Sequence, residues 1–217
     1  MPTADPAVLF DWDGTLLDSA PSTTAAWRVV LGELGCDAPP ELLASLFGAG
    51  WPDAYLRVAE RWDVPDGQLV SERLAQARRA LPPAALFADA QPAIDGLRRA
   101  GVRVALVTNS SRDRLDREMR GLAINAGHFA AIVTADMVDR AKPTPDCYLR
   151  ALSMLGDPAP VVAIEDSPAG VAAASAAGVP VLMIDRDGQR PADGSAAAIG
   201  RLDPDEIASF LRRGVTS

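Results

Sequence analysis

Histidine and cysteine are nearly absent from this chain, with one histidine and two cysteines in 217 residues. Cys36 and Cys147 fall in no C-x-x-C or other ligand spacing, which argues against a structural zinc site. The single histidine, His128, has no serine or cysteine nucleophile signature near it, and a lone histidine needs partners to act. It is read as a surface or packing residue and left out of the candidate site. Positive charge is also scarce: 21 Lys and Arg against 29 Asp and Glu give a net charge of -8. Nucleic acid and anionic membranes need a basic footprint, so neither is an expected partner, and any phosphate the chain handles must be bound locally. Acidity by itself also serves solubility. No apolar run approaches a membrane span, and Met1 to Pro6 lacks the basic start and apolar stretch of a signal peptide. The expected location is therefore the cytoplasm, and the expected assembly is a monomer or weak dimer.

What is present is ordinary for a soluble globular protein, with 48% hydrophobic and 23% charged residues. Apolar runs at 7–10, 102–107, 131–133, 161–164 and 179–184 each end abruptly in polar residues. Between them lie stretches of helical periodicity at 91–100, 112–122, 144–155 and 168–177, several closed by glycine. Fully apolar strands alternating with helices predict a parallel sheet covered on both faces, which binds ligands at the carboxyl ends of its strands. The stretch 19–86 breaks the alternation, with helical patterns at 22–34, 40–47, 52–62 and 67–80, three of the four tryptophans and no strand-like run. It reads as an inserted helical bundle whose return arm, Leu81 to Ala85, is a proline-rich hinge.

The chemistry sits at the strand ends. In Asp11-Trp12-Asp13-Gly14-Thr15 two carboxylates leave a buried strand in different directions. One could attack phosphorus while the other protonates the leaving oxygen and later activates water. The same residues could instead form a solvated turn that caps the next element. Thr108 offers a hydroxyl and Asn109 a backbone amide. Lys142, followed by two prolines in K-P-T-P-D, offers a point charge, although a solvated lysine has the same local pattern. Glu165 and Asp166 close the fourth apolar run with no cation adjacent in sequence. A bound magnesium would explain them, and Asp166 or Ser167 could also cap the helix that begins at Pro168.

The stations D-W-D-G-T-L, V-T-N-S, K-P-T-P-D and E-D-S-P-A-G together resemble the haloacid dehalogenase superfamily of phosphatases. Their order, with a helical insert after the first, is similar to the branch holding phosphoglycolate phosphatase, sugar phosphatases and beta-phosphoglucomutase. The resemblance implies an α/β Rossmann-like parallel-sheet core with helices on both faces, formed by 1–18 and 87–217, and an all-α cap at 19–86. It implies magnesium-dependent hydrolysis of a small phosphorylated metabolite through an aspartyl phosphate. Asp11 would be the nucleophile and a metal ligand, and Asp13 the acid/base and a ligand through its carbonyl. Asp166 would be a further ligand, with Glu165 ranked behind it, while Thr108, Asn109 and Lys142 would hold the phosphate. Thr23 and Trp51 stand where beta-phosphoglucomutase has a cap histidine and a phosphate-holding arginine, which favours a phosphatase over a phosphosugar mutase. Trp51 could face the substrate or pack inside the cap. Asp13 separates the chain from dehalogenases. Two other readings, a phosphate-accepting receiver domain and a non-catalytic phosphosugar-binding module, are disfavoured by the position of Asp11 after the first strand and by the intact pair Asp11 and Asp13.

Overall fold

The computed structural model describes residues 5–47, 51, 53–186, 188 and 197–213. The chain divides into two compact units, Met1–Leu17 with Leu86–Ser217, and Asp18–Ala85. The first is an α/β unit built on a six-stranded, wholly parallel sheet. Its strands are β1 (Ala7–Phe10), β4 (Arg103–Val107), β5 (Ala131–Val133), β6 (Val161–Glu165), β7 (Val181–Ile184) and β8 (Ala197–Ile199), in the spatial order β5-β4-β1-β6-β7-β8. Two further strands, β2 (Leu17–Asp18) and β3 (Ala85–Leu86), pair with each other where the chain leaves and re-enters this unit.

The sheet order explains where a ligand must go. From β1 the chain builds outward through β4 to β5, then returns to the other side of β1 for β6, β7 and β8. The connections leave in opposite directions at the β1/β6 boundary, and a crevice opens beyond the carboxyl ends of strands at such a switch. Register places Phe10 opposite both Leu106 and Ile164, so the three polar loops that follow begin at the same level.

Strand alternation sorts the core. Ala7, Leu9, Ala105, Val107 and Ala163 face a cluster with Cys147, Tyr148 and Ala151 of α7 (Asp146–Met154) and Val171, Ala173 and Ala174 of α8 (Pro168–Ala176). Their neighbours Val8, Phe10, Val104, Leu106 and Ile164 are equally buried and point to the opposite face. On that face α5 (Ala90–Arg99) packs against β4 and against α9 (Pro204–Arg213). The apolar pattern 112–122 yields a shorter helix, α6 (Arg112–Glu118), because the last turn ends at Gly121, which has φ 87°. The short strand β8 and helix α9 carry no signal in the sequence pattern described above, and the stretch 19–86 ends in the strand residues of β3 although none is predicted there.

The second unit contains α1 (Ala20–Glu33), α2 (Pro40–Leu46), α3 (Asp53–Ala59) and α4 (Gly67–Ala80). Its own core joins Trp27, Val30, Leu31, Leu43, Val58 and Leu74, with Trp62 half-buried against it. Among the described residues no helix is long and apolar enough to cross a membrane.

The contact of α5 with α9 rests on a close approach. A Cβ placed on Gly96 would lie 2.8 Å from both Cβ and Cγ of the rigid Pro204 ring. Gly96→Ala gains up to about 1 kcal/mol of helix propensity, but overpacking costs about 1–3 kcal/mol. The expected outcome is a lower denaturant midpoint. A midpoint above the parent's would contradict the packing of α9 on this face.

Candidate active site

The first polar loop is shaped by its backbone. Asp11 is the first residue beyond β1, and its amide still donates to the Ile164 carbonyl at 3.0 Å, so its side chain starts from the rigid sheet. The chain then reverses: the Leu16 and Leu17 amides both donate to the Trp12 carbonyl, and Gly14 adopts φ 78°. Only glycine takes that conformation without strain. Gly14 has a second reason to be glycine, since a Cβ there would come within 2.1 Å of Asp166 Oδ2. The loop after β6 shows the same device, because a Cβ on Gly170 would lie 1.8 Å from Glu165 Oε2. Two carboxylates therefore occupy spaces that missing side chains leave open.

Lys142 organises the centre. It is buried, and its ammonium uses all three donors, on Asp11 Oδ1 at 2.7 Å, the Val107 carbonyl at 2.8 Å and Glu165 Oε1 at 2.5 Å. Burial pulls the ammonium pKa down, but the charges of Asp11 and then Glu165 outweigh it and hold the group above its ordinary value. The main chain of Lys142 is clamped as well. Asn109 Oδ1 accepts from the Lys142 amide at 2.9 Å, and Asn109 Nδ2 donates to the Lys142 carbonyl at 3.2 Å, next to a cis peptide bond to Pro143. Thr108, buried at the end of β4, gives its amide to Val133 and accepts from the Ser110 amide through its hydroxyl.

Asp11, Glu165 and Asp166 each bring one oxygen within 4.8 Å of the others. Three buried carboxylates around one ammonium leave an excess of negative charge. Burial raises the Asp11 carboxyl to about 7, with Lys142 opposing and Glu165 adding to the shift. Glu165 is raised for the same first reason, against the pull of Lys142. Its Oε1 also accepts from the buried Tyr148 hydroxyl, while Oε2 has no hydrogen-bond partner among the described residues. An all-oxygen donor set, an excess of negative charge and an unpaired buried carboxylate oxygen together suit a hard divalent cation such as magnesium.

Asp13 has a different set of partners: Ser110 Oγ donates to its Oδ2 at 2.8 Å and Arg114 Nη2 donates to its Oδ1 at 2.6 Å. Arg114 also binds Glu118, which accepts from the indole of Trp12. Burial lowers the guanidinium pKa, but Asp13 and then Glu118 raise it above its ordinary value; burial raises Glu118, against the pull of Arg114.

The fold thus brings Asp11, Asp13, Thr108, Asn109, Lys142, Glu165 and Asp166 to the loops at one end of the sheet. Trp51 belongs to the helical unit, where it is exposed and stands 5.4 Å from Tyr55, ring centre to ring centre. His128 is exposed and serves a capping box with Asn125. Sequence reasoning missed Ser110, Arg114, Glu118 and Tyr148. The available signals were the i,i+4 pair of Arg114 with Glu118 directly after V-T-N-S, and an aromatic in the first turn of the helix that follows K-P-T-P-D.

A family model described as haloacid dehalogenase-like hydrolase matches residues 6–178. The chain is 34% identical over 203 residues to a plasmid-encoded phosphoglycolate phosphatase of Cupriavidus necator, covering 89% of this chain and 86% of that protein. It is 32% identical over 197 residues to hexitol phosphatase A of Escherichia coli, covering 84% of each. Among solved structures, CbbY from Rhodobacter sphaeroides in complex with phosphate is similar with a TM-score of 0.76 and 26% identity, over 91% of this chain and 95% of that one.

A raised carboxyl has a stability consequence. Because the native state holds its proton more tightly than the unfolded chain, Asp11's contribution is fully present below its ordinary value of 3.8 and is lost as pH rises through about 7. In chelator, the melting temperature of Asp11→Asn relative to the parent should therefore rise between about pH 4 and pH 8. A difference independent of pH would contradict the electrostatics given for this carboxylate.

Proposed function

The chain belongs to the haloacid dehalogenase-like hydrolases and is a phosphatase of that family, and from this premise we propose that Asp11 is the nucleophile in the hydrolysis of a small phosphate monoester. The observation that carries the proposal is the buried contact of Lys142 with Asp11 inside a cluster of carboxylates at the switch point of the sheet. An ordinary structural ion pair would not gather Glu165 and Asp166 beside it. The phosphatases among the relatives, of phosphoglycolate and of hexitol phosphates, support a small phosphorylated metabolite as substrate.

Asp11 would attack phosphorus as the bond to the leaving oxygen breaks, and Asp13 would give that oxygen a proton. The product is an aspartyl phosphate and an alcohol. Asp13, now ionised, would take a proton from water as the water oxygen attacks phosphorus, which releases inorganic phosphate and restores Asp11. Lys142 keeps Asp11 aimed, and the Lys142, Thr108 and Asn109 loops would line the phosphate, with the Thr108 hydroxyl as a donor to its oxygens and the engaged Lys142 ammonium acting through its charge. Asp11, Asp166, the Asp13 carbonyl and, behind these, Glu165 would hold magnesium, which supplies neutralisation of the phosphate's negative charge. The helical unit would act as the cap, with Trp51 offering an apolar face to the body of the substrate.

Three measurements check this assignment. With 4-nitrophenyl phosphate, Asp11→Asn should leave turnover at background while the protein keeps its fold. Asp13→Asn should lose about 10²–10⁴-fold in kcat/KM, which reports formation of the aspartyl phosphate, on phenyl phosphate, whose leaving group needs a proton, and much less in kcat/KM on 4-nitrophenyl phosphate. Chelator should abolish turnover, and magnesium at about 100 times its dissociation constant should both restore it and stabilise the fold by roughly 2.7 kcal/mol. Substantial turnover by Asp11→Asn rules out Asp11 as the nucleophile.

A further inference from the structure

We propose that Arg114 is a positioning residue for Asp13, fixing the direction from which the leaving-group acid meets its substrate; this rests on the acid/base role proposed for Asp13 above. Both oxygens of Asp13 are directed by partners from one short segment. Ser110, in the loop after β4, holds Oδ2, and Arg114, in the first turn of α6, holds Oδ1 at 2.6 Å. Arg114 is itself fixed. Its Nε donates to Glu118 Oε1 at 2.8 Å, one turn further along α6, and Glu118 Oε2 accepts the indole N–H of Trp12 at 2.9 Å. Trp12 is fully buried and stands between the two aspartates. The contacts form a closed circuit: Trp12 to Glu118, Glu118 to Arg114, Arg114 to Asp13, and Asp13 back to Trp12 through the peptide bond.

The circuit has a consequence that a surface ion pair lacks. Isolated exposed pairs contribute about 0–1 kcal/mol and leave both side chains free to swing. Here the side chains of Arg114 and Asp13 are only 22% and 27% exposed, and the guanidinium spends two separate donors on two carboxylates. A planar fork held at one end by Glu118 presents its other edge in one direction. Asp13 is thereby held to Ser110 and Arg114 while Asp11 is held to Lys142, which gives the proton donor and the nucleophile separate partners within a three-residue span. Proton transfer to a leaving oxygen needs a heavy-atom separation of about 2.6–3.2 Å. A displacement of about 1 Å can cost on the order of 10²-fold. Arg114 touches neither phosphorus nor leaving group in this account and acts through Asp13 alone.

The test compares phenyl phosphate with 4-nitrophenyl phosphate, which share size and phosphate but differ in how much the leaving oxygen needs a proton. Arg114→Met keeps the aliphatic stem and removes the fork. It should lower kcat/KM, which reports formation of the aspartyl phosphate, by about 10- to 100-fold on phenyl phosphate and by less than about threefold on 4-nitrophenyl phosphate. Arg114→Lys, which keeps the charge but has a single donor point, should restore part of the loss on phenyl phosphate. In an Asp13→Asn background, Arg114→Met should cost less than about twofold more, because its target group has gone. Equal losses on both substrates, or the same loss with and without Asp13, would overturn the positioning role. If Arg114→Met does not fold, Arg114→Lys decides alone: a loss selective for phenyl phosphate supports the role and a uniform loss or none overturns it. Failure of Asp13→Asn itself to discriminate the two substrates would instead strike the acid/base assignment, and is read from that single variant without reference to Arg114.

Discussion

One buried ammonium has to serve an excess of carboxylates, and the architecture of the site follows from how that imbalance is arranged. Lys142 arrives from the loop before α7 and reaches the end of β1, where Asp11 and Glu165 share its donors with a backbone carbonyl. Burying charges this way carries a desolvation cost of several kcal/mol per ion that pairing offsets only when geometry is good. Each neighbouring feature improves that geometry. Asn109 clamps the lysine's main chain on both sides, and Tyr148 gives Glu165 a second donor from the core beneath. Gly14 and Gly170 leave space for carboxylates that any side chain would fill.

The parallel sheet makes these long-range meetings reproducible. Asp11, Lys142 and Glu165 are far apart in sequence, yet β1 is hydrogen-bonded to β4 and β6 in a register that starts their loops at one level. Rigid strands define where the nucleophile stands, and the loops carry groups that must be chemically varied. Asp13 belongs to the same turn as Asp11 but is drawn into a different network, with Ser110, Arg114 and Glu118. Two carboxylates two residues apart thus meet contrasting surroundings: one is deeply buried against a lysine, and the other is part-exposed against an arginine. Contrasting environments are what allow paired carboxylates to take different tasks.

Much of this was legible in the residue pattern, for identifiable reasons. Strands buried on both faces are nearly pure apolar runs, so β1, β4, β5 and β6 announce themselves, and the polar residues closing each run are the ones the fold collects. The edge strand β8 is short and half-exposed, and so lacks that signature. Helix α9 has its buried residues confined to a narrow stripe, Ile207 and Leu211, within a charged segment. Side chains whose part depends on distance across the fold were illegible: the contact of Arg114 with Asp13 spans 101 residues and that of Tyr148 with Glu165 spans 17. The commitment of the Asn109 side chain to the Lys142 backbone, where the sequence suggested a backbone donor, has the same origin.

The central claim is covalent: phosphate passes through Asp11. The most direct measurement mixes Asp13→Asn with magnesium and 4-nitrophenyl phosphate, quenches in acid after the first release of nitrophenolate, and maps the phosphoryl group by peptide mass spectrometry. Loss of the general base slows attack by water, so the intermediate should accumulate. The account predicts one phosphoryl group on Asp11, removable by hydroxylamine. A burst of nitrophenolate with no phosphoryl group on Asp11, or with the group on another residue, would contradict it.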